Sequence, residues 1–282
     1  MTGDSARIEV SVMGPTLIDG ECVTPGQRAL VAVLALHADH GAGIDVLADG
    51  VWGWHPPTSA RSSLQNQITR LRRSFGSDLI VCRHGRYHLD ARTDRDRFVA
   101  LATPWISAPP SAAMIAPLST ALSLWRGTPF HDVSDHQPAD VERARLEQLK
   151  GTTVEQLALA RITAGHPGAA IADLATAAEA DPYRERIWEL LLVTLHLTGR
   201  RSEALAARGR YIERLRAGLS AEPSPSFVRL GALIEQGTVI DIDDYLGGPA
   251  CHETASPRFA TCDHRARPSI RRAQCRRIRD AS

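Results

Sequence analysis

Residues 58–77 hold no aspartate or glutamate, yet they include Arg61, Arg70, Arg72 and Arg73. At about 100° per residue, a helix over this stretch has two unlike faces. Ala60, Leu64, Ile68, Leu71 and Phe75 share one face. Ser62, Asn66, Thr69 and Arg73 share the opposite face, with Arg70 beside them. The second set is what reading base edges requires: amides and hydroxyls for groove donors and acceptors, and guanidinium groups for guanine or phosphate. A helix face that only meets solvent usually mixes both signs, because opposite charges one turn apart stabilise it. An acid-free face points to a polyanion instead. A second basic point follows at Arg83-His84-Gly85-Arg86. The residues therefore divide into base readers (Ser62, Asn66, Thr69, Arg70, Arg73) and phosphate contacts (Arg61, Arg72, Arg83, Arg86).

The surrounding elements must hold these side chains outward. Ile8, Val10 and Val12 alternate as in a half-buried strand. Asp19-Gly20, set between Leu17-Ile18 and Cys22-Val23, signals a hairpin, so the chain opens with a small antiparallel sheet. Thr24 as cap and Pro25 in the first turn start a helix that ends before Gly41. A second helix spans 45–52, capped by Asp45 and stopped by Gly53 and Pro56-Pro57. The third runs from Thr58 or Ser59 to Phe75, closed by Gly76. Leu79–Cys82 and Arg86–Leu89 then form a hairpin with a basic tip. Three helices and a hairpin make a winged helix-turn-helix, its third helix in the major groove.

Beyond residue 96 the pattern is helical: Arg97–Ile106, Ala112–Arg126, Ala139–Ala164, Ala169–Ala180, Arg184–Leu197, Ser202–Leu215 and Phe227–Gln236. Ala164–Ile171 resembles Thr198–Leu205 at an offset of 34 residues, the period of tetratricopeptide helix pairs. Gly165 and Gly199 would end first helices, and Ala170 and Ala204 would allow close packing. The expected fold is an α+β winged helix-turn-helix over 1–93, followed by an all-α tetratricopeptide-like domain over 94–240. Residues 241–282 read as a disordered basic tail, with eight arginines and three acids after position 249.

Composition narrows the function. The formal charge of +1 over 282 residues conceals a basic block at 57–88, where six arginines face a single acid, Asp78. With 43% hydrophobic and 23% charged residues, the chain can bury a core. No apolar run approaches the ~18 residues of a membrane span. The N-terminus has no apolar signal core, and five scattered cysteines suit a reducing compartment, so a cytoplasmic, nucleoid-associated protein is expected. Cys251-His252, Cys262, His264 and Cys275 lack the tight Cys-x-x-Cys spacing of structural zinc sites. His131, Asp132, Asp135 and His136 lie close together, but nothing elsewhere supplies a matching cluster. Trp52, Trp54, Trp105, Trp125 and Trp188 read as packing residues. Lys150 is the sole lysine and no Walker lysine motif occurs, which excludes a P-loop. Catalytic residues, metals and cofactors are accordingly not expected.

Several stretches in order carry a family resemblance. They are Gly26-Gln27-Arg28-Ala29-Leu30, Val51-Trp52-Gly53, Pro56–Arg61, Leu71-Arg72-Arg73 and Asp94–Phe98, then Ala121–Gly127 and Glu222-Pro223-Ser224-Pro225. By their order and spacing the chain resembles the Streptomyces antibiotic regulatory protein family of transcriptional activators over about residues 7–240. The resemblance implies an OmpR-type winged-helix domain and a bacterial transcriptional activation domain. It also implies binding to promoter direct repeats as an oligomer, and recruitment of RNA polymerase through its sigma subunit. The loop from Trp54 to Ser59 would face polymerase. At the wing this sequence has Gly85-Arg86-Tyr87 where the family usually has Pro-Gly-Tyr. The competing expectation is a tetratricopeptide-like protein-interaction module without specific DNA recognition, against which the acid-free third helix argues.

Overall fold

The computed structural model describes residues 8–133 and 136–240. A small sheet comes first, and helices make up most of the rest. Strand β1 (Glu9–Ser11) pairs antiparallel with β2 (Leu17–Ile18), Val10 opposite Ile18. The Asp19-Gly20 turn forms, but β2 finds its partner in β1 and not in Cys22-Val23; only an isolated bridge, Ile18 to Glu21, crosses the turn. The chain cannot continue as a strand there because Pro25 lacks an N–H and opens helix α1 (Pro25–Leu36). Thr24 precedes it, its N–H donating to Gln27 Oε1 at 3.2 Å. A further strand, β5 (Arg92–Thr93), pairs parallel to β1, so the sheet is mixed where an antiparallel one was expected.

Helix α2 (Ile44–Trp52) is capped by Gly43, two residues before the expected Asp45. Asp45 lies inside its first turn, where a carboxylate favours the helix dipole. Helix α3 (Ala60–Phe75) buries Leu64, Ile68 and Leu71 against α1 and α2, as its apolar stripe requires. Strands β3 (Ile80–Arg83) and β4 (Arg86–Leu89) follow as a hairpin.

The helical part comprises α4 (Asp94–Ala102), α5 (Ile115–Ser123), α6 (Gln137–Thr163), α7 (Ile171–Ala180), α8 (Glu185–Leu197), α9 (Arg201–Leu219) and α10 (Pro225–Gln236). Helix α4 starts three residues before the expected Arg97 because Thr93 caps it, accepting from the Asp96 N–H at 3.0 Å. The expected helix 112–126 ends early: Arg126 leaves it to donate its N–H to the Met13 carbonyl at 2.8 Å. Gly165 and Gly199 both take positive φ, 80° and 76°, and close α6 and α8 in the same way. The residue after each glycine donates back five positions, His166 to Arg161 and Arg200 to Leu195, both at 2.8 Å. Ala170 and Ala204, at equivalent places, are fully buried.

Two principal cores result. One gathers β1, α1, the inner sides of α2 and α3, Phe98, Phe130 and, from α6, Ala139 and Leu146. The other surrounds Trp188, Tyr211 and Phe227, whose ring centres are 5.5 and 4.7 Å apart in sequence order. Asp94 ties the sheet to the helices. It is 2% exposed and accepts N–H groups from Val12 at 2.6 Å and Met13 at 3.1 Å, with Arg126 Nη2 at 3.4 Å. Burial pushes its carboxyl above the usual range, against the pull of those donors. Among the described residues no helix is long and apolar enough to cross a membrane. The basic tail, Asp135, and Cys251, His252, Cys262, His264 and Cys275 lie outside the described residues.

Candidate nucleic-acid interface

The apolar stripe of α3 fixes which way its other side points. Arg61, Ser62, Asn66, Thr69, Arg70 and Arg73 are all exposed. Arg61, Arg70 and Arg73 make no hydrogen bond or ion pair with any described residue, although ion pairs tie down arginines throughout the helical part. Two hydroxyls are committed within the helix. Ser62 Oγ donates to the Ser59 carbonyl at 2.9 Å, and Thr69 Oγ1 donates to the Gln65 carbonyl at 2.8 Å. Gln65, also exposed, borders the same face and escaped the sequence reading, because it lies toward the edge carrying Arg61.

The hairpin stands beside α3. His84 and Gly85 have φ of 51° and 74°, a two-residue turn that matches the twist of the strands and needs a glycine at its second position. Arg83 and Arg86 therefore face each other across the ladder, both exposed. Their surroundings differ. Arg83 has no partner among the described residues. Arg86 donates from Nε to the His40 carbonyl and from Nη2 to the Gly41 carbonyl, each at 2.8 Å. A bridge between Ala42 and Tyr87 holds the same strand to the turn after α1. Arg72 behaves like Arg86: its Nε and Nη2 donate to the Ile80 carbonyl at 2.9 and 2.7 Å, joining α3 to β3. Of the four arginines assigned to phosphate, Arg61 and Arg83 are free, whereas Arg72 and Arg86 are committed to carbonyls. The sequence holds no signal for those bonds, which join residues far apart or on unlike elements.

Three other groups needed the structure. Trp54 is 86% exposed, not packed. Gly53 ends α2 with φ of 62°, and Pro56-Pro57 keep the loop away from the core. Asp132 is no ligand: it holds Arg28 Nε at 2.8 Å and the Thr16 N–H at 2.7 Å. His136 Nε2 meets His37 Nε2 at 3.5 Å, with ring centres 5.8 Å apart, so the two nitrogens lie head on. Burial holds both imidazoles below their ordinary value. Among the described residues no three such side chains gather as metal ligands.

Comparison with known proteins places this geometry. Residues 93–235 match the bacterial transcriptional activator domain. The transcriptional regulatory protein EmbR of Mycobacterium tuberculosis is 30% identical over 252 residues, covering 83% of this chain and 65% of that one. The regulatory protein AfsR of Streptomyces griseus is 30% identical over 235 residues, 80% of this chain but 23% of the relative. The transcriptional regulator RedD of Streptomyces coelicolor is 29% identical over 259 residues, 85% and 74% of the two chains. The chain thus spans less than two thirds of the length of EmbR. A solved structure of Mycobacterium tuberculosis EmbR in complex with a low affinity phosphopeptide superposes with a TM-score of 0.72 at 30% identity, covering 85% of this chain and 68% of that one. With that domain over about half of its length and these relatives alongside, the chain belongs to the Streptomyces antibiotic regulatory protein family of transcriptional regulators.

Proposed function

We propose that this chain is a sequence-specific DNA-binding activator of a secondary-metabolite gene cluster. It binds promoter direct repeats as an oligomer and recruits RNA polymerase through sigma. In this reading residues 8–93 are a winged helix-turn-helix, α3 enters the major groove, and the β3–β4 hairpin is the wing. Residues 94–240 form a tetratricopeptide-like activation half. The single observation that carries the reading is the outer side of α3, where exposed Arg61, Arg70 and Arg73 pair with no acid among the described residues. Such charge left unpaired on a folded helix suits phosphates and guanines. Arg70, Arg73 and Asn66 face bases; Arg61 and Arg83 hold phosphates, while Arg72 and Arg86 chiefly position the wing. The exposed Trp54 loop is the surface offered to polymerase.

Selection of duplexes from a random pool by the purified chain tests this. A direct repeat should be enriched, and its preference should persist at physiological salt. Arg73→Ala should lose about 1–3 kcal/mol of discrimination at one base position. Binding that shows no motif and vanishes as salt rises would refute the proposal and leave an interaction module.

A further inference from the structure

We propose that Thr69 reads a thymine through its C5-methyl group and not a polar base edge; this rests on α3 being the DNA-reading helix. A hydroxyl has one proton, and that of Thr69 is donated to the Gln65 carbonyl one turn back, at 2.8 Å. The hydroxyl and the methyl share the β-carbon. With the hydroxyl turned onto the helix, the methyl is the group left for the groove. Thr69 is exposed near the middle of the acid-free face, one turn from Asn66 and from Arg73. Its neighbours supply the polar reading: arginine suits guanine and asparagine suits adenine. Thymine is the one base that presents an apolar group in the major groove, and a methyl is what meets it. Ser62 gives the contrast within the same helix. Its hydroxyl proton is likewise committed, to the Ser59 carbonyl, but it has no methyl to offer a thymine.

The experiment replaces each thymine of the selected duplex, one at a time, by uracil, which lacks only the methyl. Affinity of the full chain is read by fluorescence anisotropy at fixed salt. Burial of one methyl corresponds to about a fourfold effect. At one thymine per half-site, uracil should weaken binding by about that factor. Thr69→Ser, which keeps the hydroxyl, should abolish the difference between thymine and uracil there. Thr69→Val, which keeps a methyl, should preserve it. Equal binding of thymine and uracil at every position overturns the inference while leaving specific DNA binding intact. So does a preference that survives in Thr69→Ser and disappears in Thr69→Val, since the hydroxyl would then be the reader. Failure to select any sequence overturns the assignment of α3 itself, and this inference with it.

Discussion

Arg83 and Arg86 face each other across one hairpin, carry the same charge and are both exposed, yet their substitution should have opposite consequences. Arg83 has no partner among the described residues. Arg83→Ala removes a cation that costs folding nothing to lose, and a stability change within about 0.5 kcal/mol is expected. It also relieves like charges placed directly opposite, which disfavour a sheet pair. On DNA the effect is electrostatic: one phosphate contact fewer lowers the slope of log affinity against log salt by about 0.9. Arg86 donates two hydrogen bonds of 2.8 Å to the His40 and Gly41 carbonyls. Bonds from a charged donor are worth about 1.5–3 kcal/mol each, and solvent reaches this pair, so about 2–3 kcal/mol in total is expected. At about 2–4 °C per kcal/mol for a chain of this size, Arg86→Ala should melt about 4–12 °C lower. At temperatures where it is folded, its salt slope should stay near that of the parent. Thermal melting and anisotropy titrations between 50 and 200 mM salt, about the range in which such slopes are read, give both quantities. Similar melting losses in the two variants, or a slope change confined to Arg86→Ala, would refute the division of roles.

Three further outcomes are expected. Asp94→Ala leaves the Val12 and Met13 N–H groups buried without an acceptor, which costs about 1–3 kcal/mol each; a urea titration should show a loss of about 2–6 kcal/mol, and a loss under about 0.5 kcal/mol would mean water satisfies them. The head-on His37–His136 contact should make folding acid-sensitive. Both groups titrate below their ordinary value of 6.5 in the folded chain, so their stabilisation is full above about pH 6.5 and is lost as pH falls through the lowered values. Arg86 and Arg143 oppose charging there and Asp49 and Asp140 favour it, and His136→Gln should flatten the fall of the melting temperature as pH drops below about 6.5; an unchanged pH profile would remove the pair from that role. Gly41→Ala would force a left-handed φ of 64° on alanine and drive its Cβ into the His88 ring, and it should lower the melting temperature measurably; no shift would show that the turn can relax.

The apolar periodicity of α3 gave its buried side and therefore its exposed one, and the strand signals gave the hairpin, though with Arg83 in its tip; the two-residue turn at His84-Gly85 that pairs Arg83 with Arg86 came only from the structure. The apolar stripe and the strand signals are local properties, and sequence carries them. The second-half helices were legible for the same reason, since their apolar spacing repeats over many turns. Most of what stayed hidden depends on distant partners. Nothing about Arg72 tells that the Ile80 carbonyl lies within 2.9 Å of its Nε, and nothing about Arg86 announces the turn after α1. Strand β5 has two residues, too few for a period of two to show. Its place beside β1 follows from Asp94 holding the Val12 and Met13 N–H groups. Trp54 misled because large aromatics are usually buried; the prolines after it, which keep the loop out, were read only as a helix stop.

Helix α6 runs through both cores. Its 27 residues, about 40 Å of continuous helix, place Ala139 and Leu146 in the core beneath α1 and Val154 and Leu159 in the core around Trp188. One uninterrupted element therefore joins the core that holds α1 and α3 to the core around Trp188. A regulator built this way has little freedom to swivel about the duplex axis. If α3 reads DNA as proposed, the promoter must supply the right angular phase. Five base pairs inserted between the repeats and the polymerase site, about half a helical turn, would carry the activator to the wrong side of the DNA, and about ten would bring it back. The rigidity of one helix would then be written into the spacing of the promoters it serves.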